Sequence, residues 1–192
     1  MRFDRRNPPR VLVIILMAIL AVGIGFFADF LVTCVEKQVY PRGYEEHVKV
    51  YAGQYGVPEE VIFAVIKCES DFDSGAVSRA GAVGLMQMLP STFEWLTDDI
   101  LFEHLESGML YDPETNIRYG VCYLSRLYDR YADWELVFAA YNAGPGTVDG
   151  WLEDVGLSDG AGGLKKIPYK ETRRHVKKVM RAWKMYERLY GE

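Results

Sequence analysis

From Val11 to Ala28 the chain carries no charged residue and no proline. A helix of roughly 20 such residues, rising about 1.5 Å per residue, spans the hydrocarbon core of a bilayer. Asp29 interrupts the run, and Phe30-Leu31-Val32-Thr33-Cys34-Val35 continues its apolar character. Arg2, Arg5, Arg6 and Arg10 precede it against one acid, Asp4. That excess of arginine places the N-terminus inside and everything after Val35 outside. The competing patterns are a cleaved signal peptide and a lipoprotein signal ending at Cys34. The run is longer than a usual signal-peptide core, and no small-x-small cleavage site follows it cleanly. Leu31-Val32-Thr33 also lacks the small residues expected before a lipidated cysteine. We therefore read residues 1–10 as a basic cytoplasmic tail, 11–35 as a single-pass anchor in the cytoplasmic membrane, 36–43 as a spacer and 44–192 as an extracytoplasmic domain.

The outer segment has the size of one compact domain. With a net charge of −5 and no basic block interleaved with aromatics, the chain lacks a nucleic-acid footprint. Cys34, Cys68 and Cys122 show no CxxC spacing, and no histidines cluster near them, so no metal or cofactor is expected. Cys68 and Cys122 are either a disulfide or two buried thiols.

The domain is predicted to be all-α. Residues 44–55 form a short amphipathic helix ended by Gly56. Pro58 suits a first helical position, and Glu59 and Glu60 suit the positive end of the dipole. The helix that follows, to about Cys68, is apolar on nearly every face and is expected at the centre of the core. Ser91 is a candidate cap for a helix starting near Pro90. Asp112-Pro113-Glu114 starts a longer one, with Ile117, Val121, Leu124 and Leu127 at helical spacing. Residues 134–141 form another helix, 144–163 a Gly-rich mobile loop, and Lys170 to Tyr190 a last helix with one basic face. That basic face is expected to be simply solvated, the alternative being a surface that leans on anionic wall polymer or lipid headgroups.

Glu69 closes the central apolar helix and is followed at once by Ser70. A carboxyl group at the edge of a core is a candidate general acid, because burial disfavours the ionised form. Three segments share the chain with it in a fixed order. Glu69-Ser70 leads to Ser78 and Gly84-Leu85-Met86-Gln87. Then come Ala139-Ala140-Tyr141-Asn142-Ala143-Gly144-Pro145 and Ile167-Pro168-Tyr169-Lys170-Glu171-Thr172-Arg173. Between them lies Asp112-Pro113-x-x-Asn116-Ile117-x-x-Gly120.

In these motifs the chain resembles the catalytic domain of the soluble lytic transglycosylases, goose-lysozyme-like enzymes that cleave murein. The resemblance covers roughly residues 44–190. It implies a lysozyme-like helical domain in which Glu69 is the sole catalytic carboxyl group. It also implies that Ser78 orients the sugar N-acetyl group, that Met86 and Gln87 line the glycan groove, that Tyr141 and Asn142 stand beside the acid, and that Glu171 supports the groove. His175 stands where many members carry Tyr, and is read as a surface substitution; the alternative is that it contacts the active-site network and alters pH response or subsite affinity. The implied activity is a non-hydrolytic cut of the β-1,4 bond between N-acetylmuramic acid and N-acetylglucosamine. Its product is a 1,6-anhydromuramyl end, the reaction of a carbon–oxygen lyase.

Asp71 and Asp73 keep open a hydrolytic muramidase with a second carboxylate. A membrane-tethered murein-binding module without turnover is the reading from another class. The expected partners are peptidoglycan glycan strands, the membrane through the N-terminal helix, and a cell-wall synthesis complex within the short reach of the spacer. The domain is expected to act as a monomer.

Overall fold

A computed structural model describes residues 10–191 of the chain. Arg2, Asp4, Arg5 and Arg6, which set the expected orientation of the anchor, lie outside the described residues. The chain forms two units, one ending at Pro41 and the other beginning at Arg42.

The first unit is a single helix, α1 (Arg10–Val39). Within Leu12–Val39 an 18-residue window reaches a mean hydropathy of 2.6, and the helix is long and apolar enough to cross a membrane. The helix runs through residues read above as spacer, so only Tyr40 and Pro41 separate its end from the second unit.

The second unit is all-helical. Its described residues hold isolated β-bridges and no extended strand. α2 (Glu45–Tyr55) ends where Gly56 takes φ 67°, the left-handed conformation that glycine adopts without a Cβ penalty. α3 (Glu59–Glu69) is the central helix: Val61 through Ile66 are each at most 1% exposed. Full burial of a Val, Ile or Phe side chain contributes about 1.5–3 kcal/mol, so this helix is held by packing on all sides.

α4 (Pro90–Trp95) opens with proline at its first position. Its N-cap is Leu89 and no side chain caps it, so Ser91 lies inside the helix and is not its cap. Pro90 decides the start, since it has no N–H to satisfy and its φ is already helical. A π-turn (Leu96–Ile100) and a 3₁₀ turn (Ser107–Tyr111) follow. α5 (Pro113–Tyr131) starts as expected, with the Asp112 carboxylate accepting from the Thr115 N–H at 2.8 Å. α6 (Trp134–Ala143) is capped by Asp133 through two backbone N–H groups.

The expected loop over 144–163 is helical in its first half. α7 (Pro145–Glu153) has Pro145 at its first turn and buries Val148 and Trp151, three residues apart on one face. Gly146 and Gly150 lower the helix propensity, and packing of that face against α6 overrides it. The remainder is folded back on itself by a bridge between Ser158 and Leu164. α8 (Lys170–Tyr190) closes the unit against both α3 and α6. Phe63 of α3 stacks on Tyr186 with ring centroids 5.6 Å apart, and Trp183 meets the edge of Trp134 at 5.9 Å. All three cysteines are free thiols: Cys122 lies in the core and Cys68 directly precedes Glu69.

Candidate active site

Glu69 is the last residue of α3, so the most buried helix delivers its carboxyl group to the edge of the core. The side chain is 16% exposed. Its Oε1 lies 2.7 Å from Nε2 of His175 on α8, whose side chain is 13% exposed. His175 is thus not a surface substitution. It occurs one helical turn after Glu171, and that i, i+4 spacing was the available sequence signal for a shared face. Its contact with α3 depends on how α8 crosses that helix.

Ser70, the other half of the Glu-Ser pair, is a staple. Its hydroxyl donates to the Leu85 carbonyl at 2.8 Å and ties the end of α3 to the 83–88 segment. That segment is held from the other side by Asn116, which is fully buried. Its Oδ1 accepts from the Met86 N–H at 2.8 Å, and its Nδ2 donates to the carbonyls of Val83 and Leu110 at 2.9 and 2.8 Å. Gly84 is required here. It has φ +79°, and a Cβ on it would come within 2.2 Å of Asn116 Nδ2. The sequence showed Asn116 only as part of a motif, and its role as the fixing point of this loop depends on contacts 30 and 33 residues away.

Met86 is fully buried, and a Cβ at Gly120 would come within 2.3 Å of its sulfur. Its side chain therefore shapes the groove from beneath and offers no surface to a ligand. Its carbonyl accepts the Tyr141 hydroxyl at 2.6 Å. Gln87 has φ 49° and donates both amide protons inward, to Ala76 O at 3.0 Å and Gly84 O at 2.9 Å. Only its side-chain oxygen is left to receive a ligand's donor. Ser78 is exposed and shapes a tight turn: its hydroxyl oxygen accepts from the Ala82 N–H at 3.0 Å.

Tyr141 sits near the end of α6. Burial first, then the negative charge of Glu69 and then the neighbouring Tyr123, hold its hydroxyl well above the ordinary phenol range. It therefore keeps its proton at neutral pH and serves as a fixed hydrogen-bond donor to Met86 O. Burial likewise pushes the Cys68 thiol up to about 11, where it is no nucleophile at neutral pH. Asp71 is exposed and paired with Lys67, and Asp73 closes a turn by accepting from the Gly75 N–H at 2.8 Å.

Two neighbouring cavities share Asn142. One, of about 550 Å³, is lined by Asn142, Glu171, Arg174, His175 and Lys178. The other, of about 280 Å³, takes in Gln87, Tyr123, Tyr141 and Asn142. A third, of about 630 Å³, joins the second through Thr92, Tyr123 and Pro145 and reaches Trp95 and Arg126. Through these shared residues the three cavities adjoin as a trough with an aromatic wall. Tyr141 and Tyr123 lie 5.4 Å apart between ring centroids, and Tyr123 and Trp95 6.4 Å apart. Of the residues named from the sequence, Gln87, Tyr141, Asn142 and Glu171 line it, Met86 lies under it, and Ser78 stands on an exposed turn. A further cavity of about 650 Å³ between α8 and residues 159–167 takes in none of them.

Residues 46–161 match the family described as Transglycosylase SLT domain. The chain is 35% identical over 154 residues to the soluble lytic murein transglycosylase of Escherichia coli K12, an alignment covering 79% of this chain and 24% of that protein. It is 34% identical over 166 residues to the membrane-bound lytic murein transglycosylase C of Yersinia pestis, covering 73% of this chain and 46% of that one. It therefore spans about a quarter to a half of the length of these relatives. Among solved structures, the 70 kDa soluble lytic transglycosylase of E. coli superposes with a TM-score of 0.74 at 32% identity, over 82% of this chain and 26% of that one. A complex of the 70 kDa soluble lytic transglycosylase with bulgecin A gives 0.75 at the same identity, with the same coverage of each chain. A lytic transglycosylase of Pseudomonas aeruginosa, solved as an inactive Glu-to-Gln mutant, gives 0.70 at 32% identity, over 79% of this chain and 25% of that one.

Proposed function

This chain belongs to the transglycosylase SLT domain family, and on that premise we propose that it is a membrane-anchored murein lytic transglycosylase with Glu69 as its one catalytic carboxyl group. The observation that carries the assignment is the place of Glu69. It ends the buried helix, is held at 2.7 Å by His175, and stands beside a trough walled by Tyr141, Asn142 and Gln87. The Pseudomonas relative that is inactive as a Glu-to-Gln mutant supports a carboxyl-dependent reaction.

Glu69, protonated, donates to the oxygen linking N-acetylmuramic acid to N-acetylglucosamine, and the glycosidic bond breaks. The muramyl acetamide oxygen stabilises the positive charge at the anomeric carbon. Ser78 holds that acetamide: its oxygen already accepts from Ala82, which leaves its own proton to donate. Glu69, now a carboxylate, takes the proton of the sugar's 6-hydroxyl as that oxygen closes onto the anomeric carbon. The 1,6-anhydro ring forms and no water is consumed. An intramolecular hydroxyl already in position has a large effective-molarity advantage over water. Asp71 is engaged by Lys67 and Asp73 by the Gly75 N–H, which supports a mechanism without a second carboxylate. The aromatic wall from Tyr141 to Trp95 offers flat apolar faces for successive sugar rings.

The membrane-bound relative and the apolar helix α1 support membrane attachment, and the arginines that precede α1 in the sequence argue for the cytoplasmic membrane with the second unit outside. A link of two residues keeps the domain, acting as a monomer, close to newly made glycan and to the complex that makes it. Mass spectrometry of muropeptides released by the full chain and by Glu69→Gln tests the assignment. Anhydromuramyl ends from the parent enzyme and none from the variant are expected. Reducing ends, heavier by one water, would mean hydrolysis, and binding without release would mean a glycan-binding module.

A further inference from the structure

His175 faces the acid with one ring nitrogen and the protein interior with the other. Nε2 lies 2.7 Å from Glu69 Oε1, while Nδ1 is buried with no hydrogen-bond partner among the described residues. The surroundings are polar but their groups are committed. Lys178 of α8 donates to the Cys68 carbonyl at 2.7 Å, Lys67 of α3 is paired with Asp71, and the Tyr141 hydroxyl of α6 donates to Met86 O. Lys170, Glu171 and Arg174, also on α8, line the adjoining cavity with His175.

We propose that His175 is a positioning residue for Glu69, a neutral imidazole that donates from Nε2 to Oε1 through the whole cycle and so reserves Oε2 as the atom that gives and takes the proton. The proposal rests on Glu69 being the acid. The ring's single proton can sit on either nitrogen. On Nδ1 it would be a buried donor without an acceptor, and orphaned N–H groups are rarer in folded proteins than unfilled acceptors. In that tautomer Nε2 could only accept, and the acid proton on Oε1 would point at the ring instead of the trough. A proton on both nitrogens leaves the same orphan and adds a charge beside Lys178 and Arg174. The Nε2–H tautomer has neither fault. It serves the protonated acid through its carbonyl oxygen and serves the carboxylate more strongly, because a hydrogen bond to an ionised acceptor is the stronger one. The contact therefore tightens as Glu69 loses its proton, which is the differential interaction that lowers a barrier.

The test uses the full chain with His175→Phe and His175→Gln, measured for kcat, KM, the pH profile of kcat and thermal unfolding. Phe removes the donor, and Gln places an amide N–H near the position of Nε2. His175→Phe is expected to lose about 10- to 100-fold in kcat, the loss of one hydrogen bond to a charged group, with KM nearly unchanged. His175→Gln is expected to recover most of that loss and to keep both limbs of the parent pH profile, since its amide does not titrate. Parent-like kcat in His175→Phe overturns the proposal. So does a His175→Gln enzyme that is as slow as His175→Phe or lacks a limb of the profile, because the ring would then have to exchange its proton. If His175→Phe does not fold, His175→Asn replaces it. Its amide ends short, near Nδ1, so activity equal to that of His175→Gln overturns the proposal. Glu69→Gln separates the two layers: turnover surviving there overturns both the acid and its positioning residue, whereas turnover lost there but untouched in His175→Phe counts against His175 alone.

Discussion

His175 and Glu69, 106 positions apart in the chain, meet at 2.7 Å because α8 packs along α3, from Phe63 on Tyr186 to Glu69 on His175. The carboxyl group and its partner thus come from two helices that pack closely within the second unit. Whatever loosens that interface should reach the reaction before it reaches the rest of the fold.

Replacing Glu69 by Gln keeps the shape of the side chain and removes its proton exchange. General acid–base help contributes about 10²–10⁴-fold, so murein turnover should fall by at least the lower figure. Thermal unfolding should stay within a few degrees of the parent, because Glu69 lies outside the apolar core of α3. Activity assays paired with melting curves check both halves, and turnover close to that of the parent would contradict the role.

The loop that carries Gln87 hangs on Asn116. Asn116→Asp keeps the acceptor for the Met86 N–H but loses both donors to Val83 O and Leu110 O. Val83 O keeps the Met88 N–H, but Leu110 O loses its Asn116 donor and both oxygens then face a buried carboxylate, which should cost about 2–5 kcal/mol, read as a lower urea midpoint. Gly84→Ala should fall in the same range, since its φ is +79° and its new methyl group would press on Asn116. A change under about 0.5 kcal/mol in either, the range of ordinary surface substitutions, would contradict the arrangement.

Alkaline stability follows from the buried phenols. Burial and a hydrogen bond to Glu114 push Tyr51 up to about 12, and burial and the Glu69 charge raise Tyr141. A group whose pKa is higher in the fold than in the open chain keeps its proton longer in the fold. The folded state then binds more protons, so stability is fully present below the unfolded value of about 10 and is lost as pH rises through the folded value. Unfolding free energy measured from pH 8 to pH 12 should be flat at first and then fall above about pH 10. Tyr141→Phe should lessen the fall and also lower activity, because Met86 O loses its donor. A stability that rises across that interval would contradict the sign.

Trp95 is 40% exposed at the far end of the trough, 6.4 Å from Tyr123. Trp95→Ala should raise KM for long glycan strands with little change in kcat, since it removes binding common to the ground and transition states. Short muropeptide oligomers that end before this wall should show no change. Equal effects on long and short substrates would place Trp95 outside the binding path.

The anchor makes a separate prediction. Alkaline carbonate should leave the full chain in the membrane fraction, and protease added outside intact spheroplasts should digest residues 42–192. Protection of that segment until the cells are lysed would reverse the topology.

Much of this architecture was legible because it is written in local signals. The apolar run of α1, the uniformly apolar α3, the Asp112-Pro113 start of α5 and the periodic face of α8 each follow from neighbouring residues. The misses come from distant contacts. α7 was hidden by Gly146 and Gly150 and exists because Val148 and Trp151 are buried, Trp151 against the edge of Tyr169 at 5.0 Å. Ser91 looked like a cap, but Pro90 had already begun the helix. Met86 read as a groove contact, yet Gly120, 34 positions on, opens a slot that swallows its side chain. His175 looked like a surface residue since nothing within its own helix reveals that α3 ends against it. Site residues named from the resemblance fall mostly along one trough, whereas the residues that hold them in place, Asn116 and Ser70, emerge only in three dimensions.

The most direct measurement is the mass of the glycan ends that the full chain releases from purified murein. If Glu69 both gives the proton and takes one back from the sugar's own hydroxyl, every new muramyl end is the anhydro form, one water lighter than a reducing end. Release of reducing ends by the parent enzyme would show that water, and not the 6-hydroxyl, attacks, and would contradict the account.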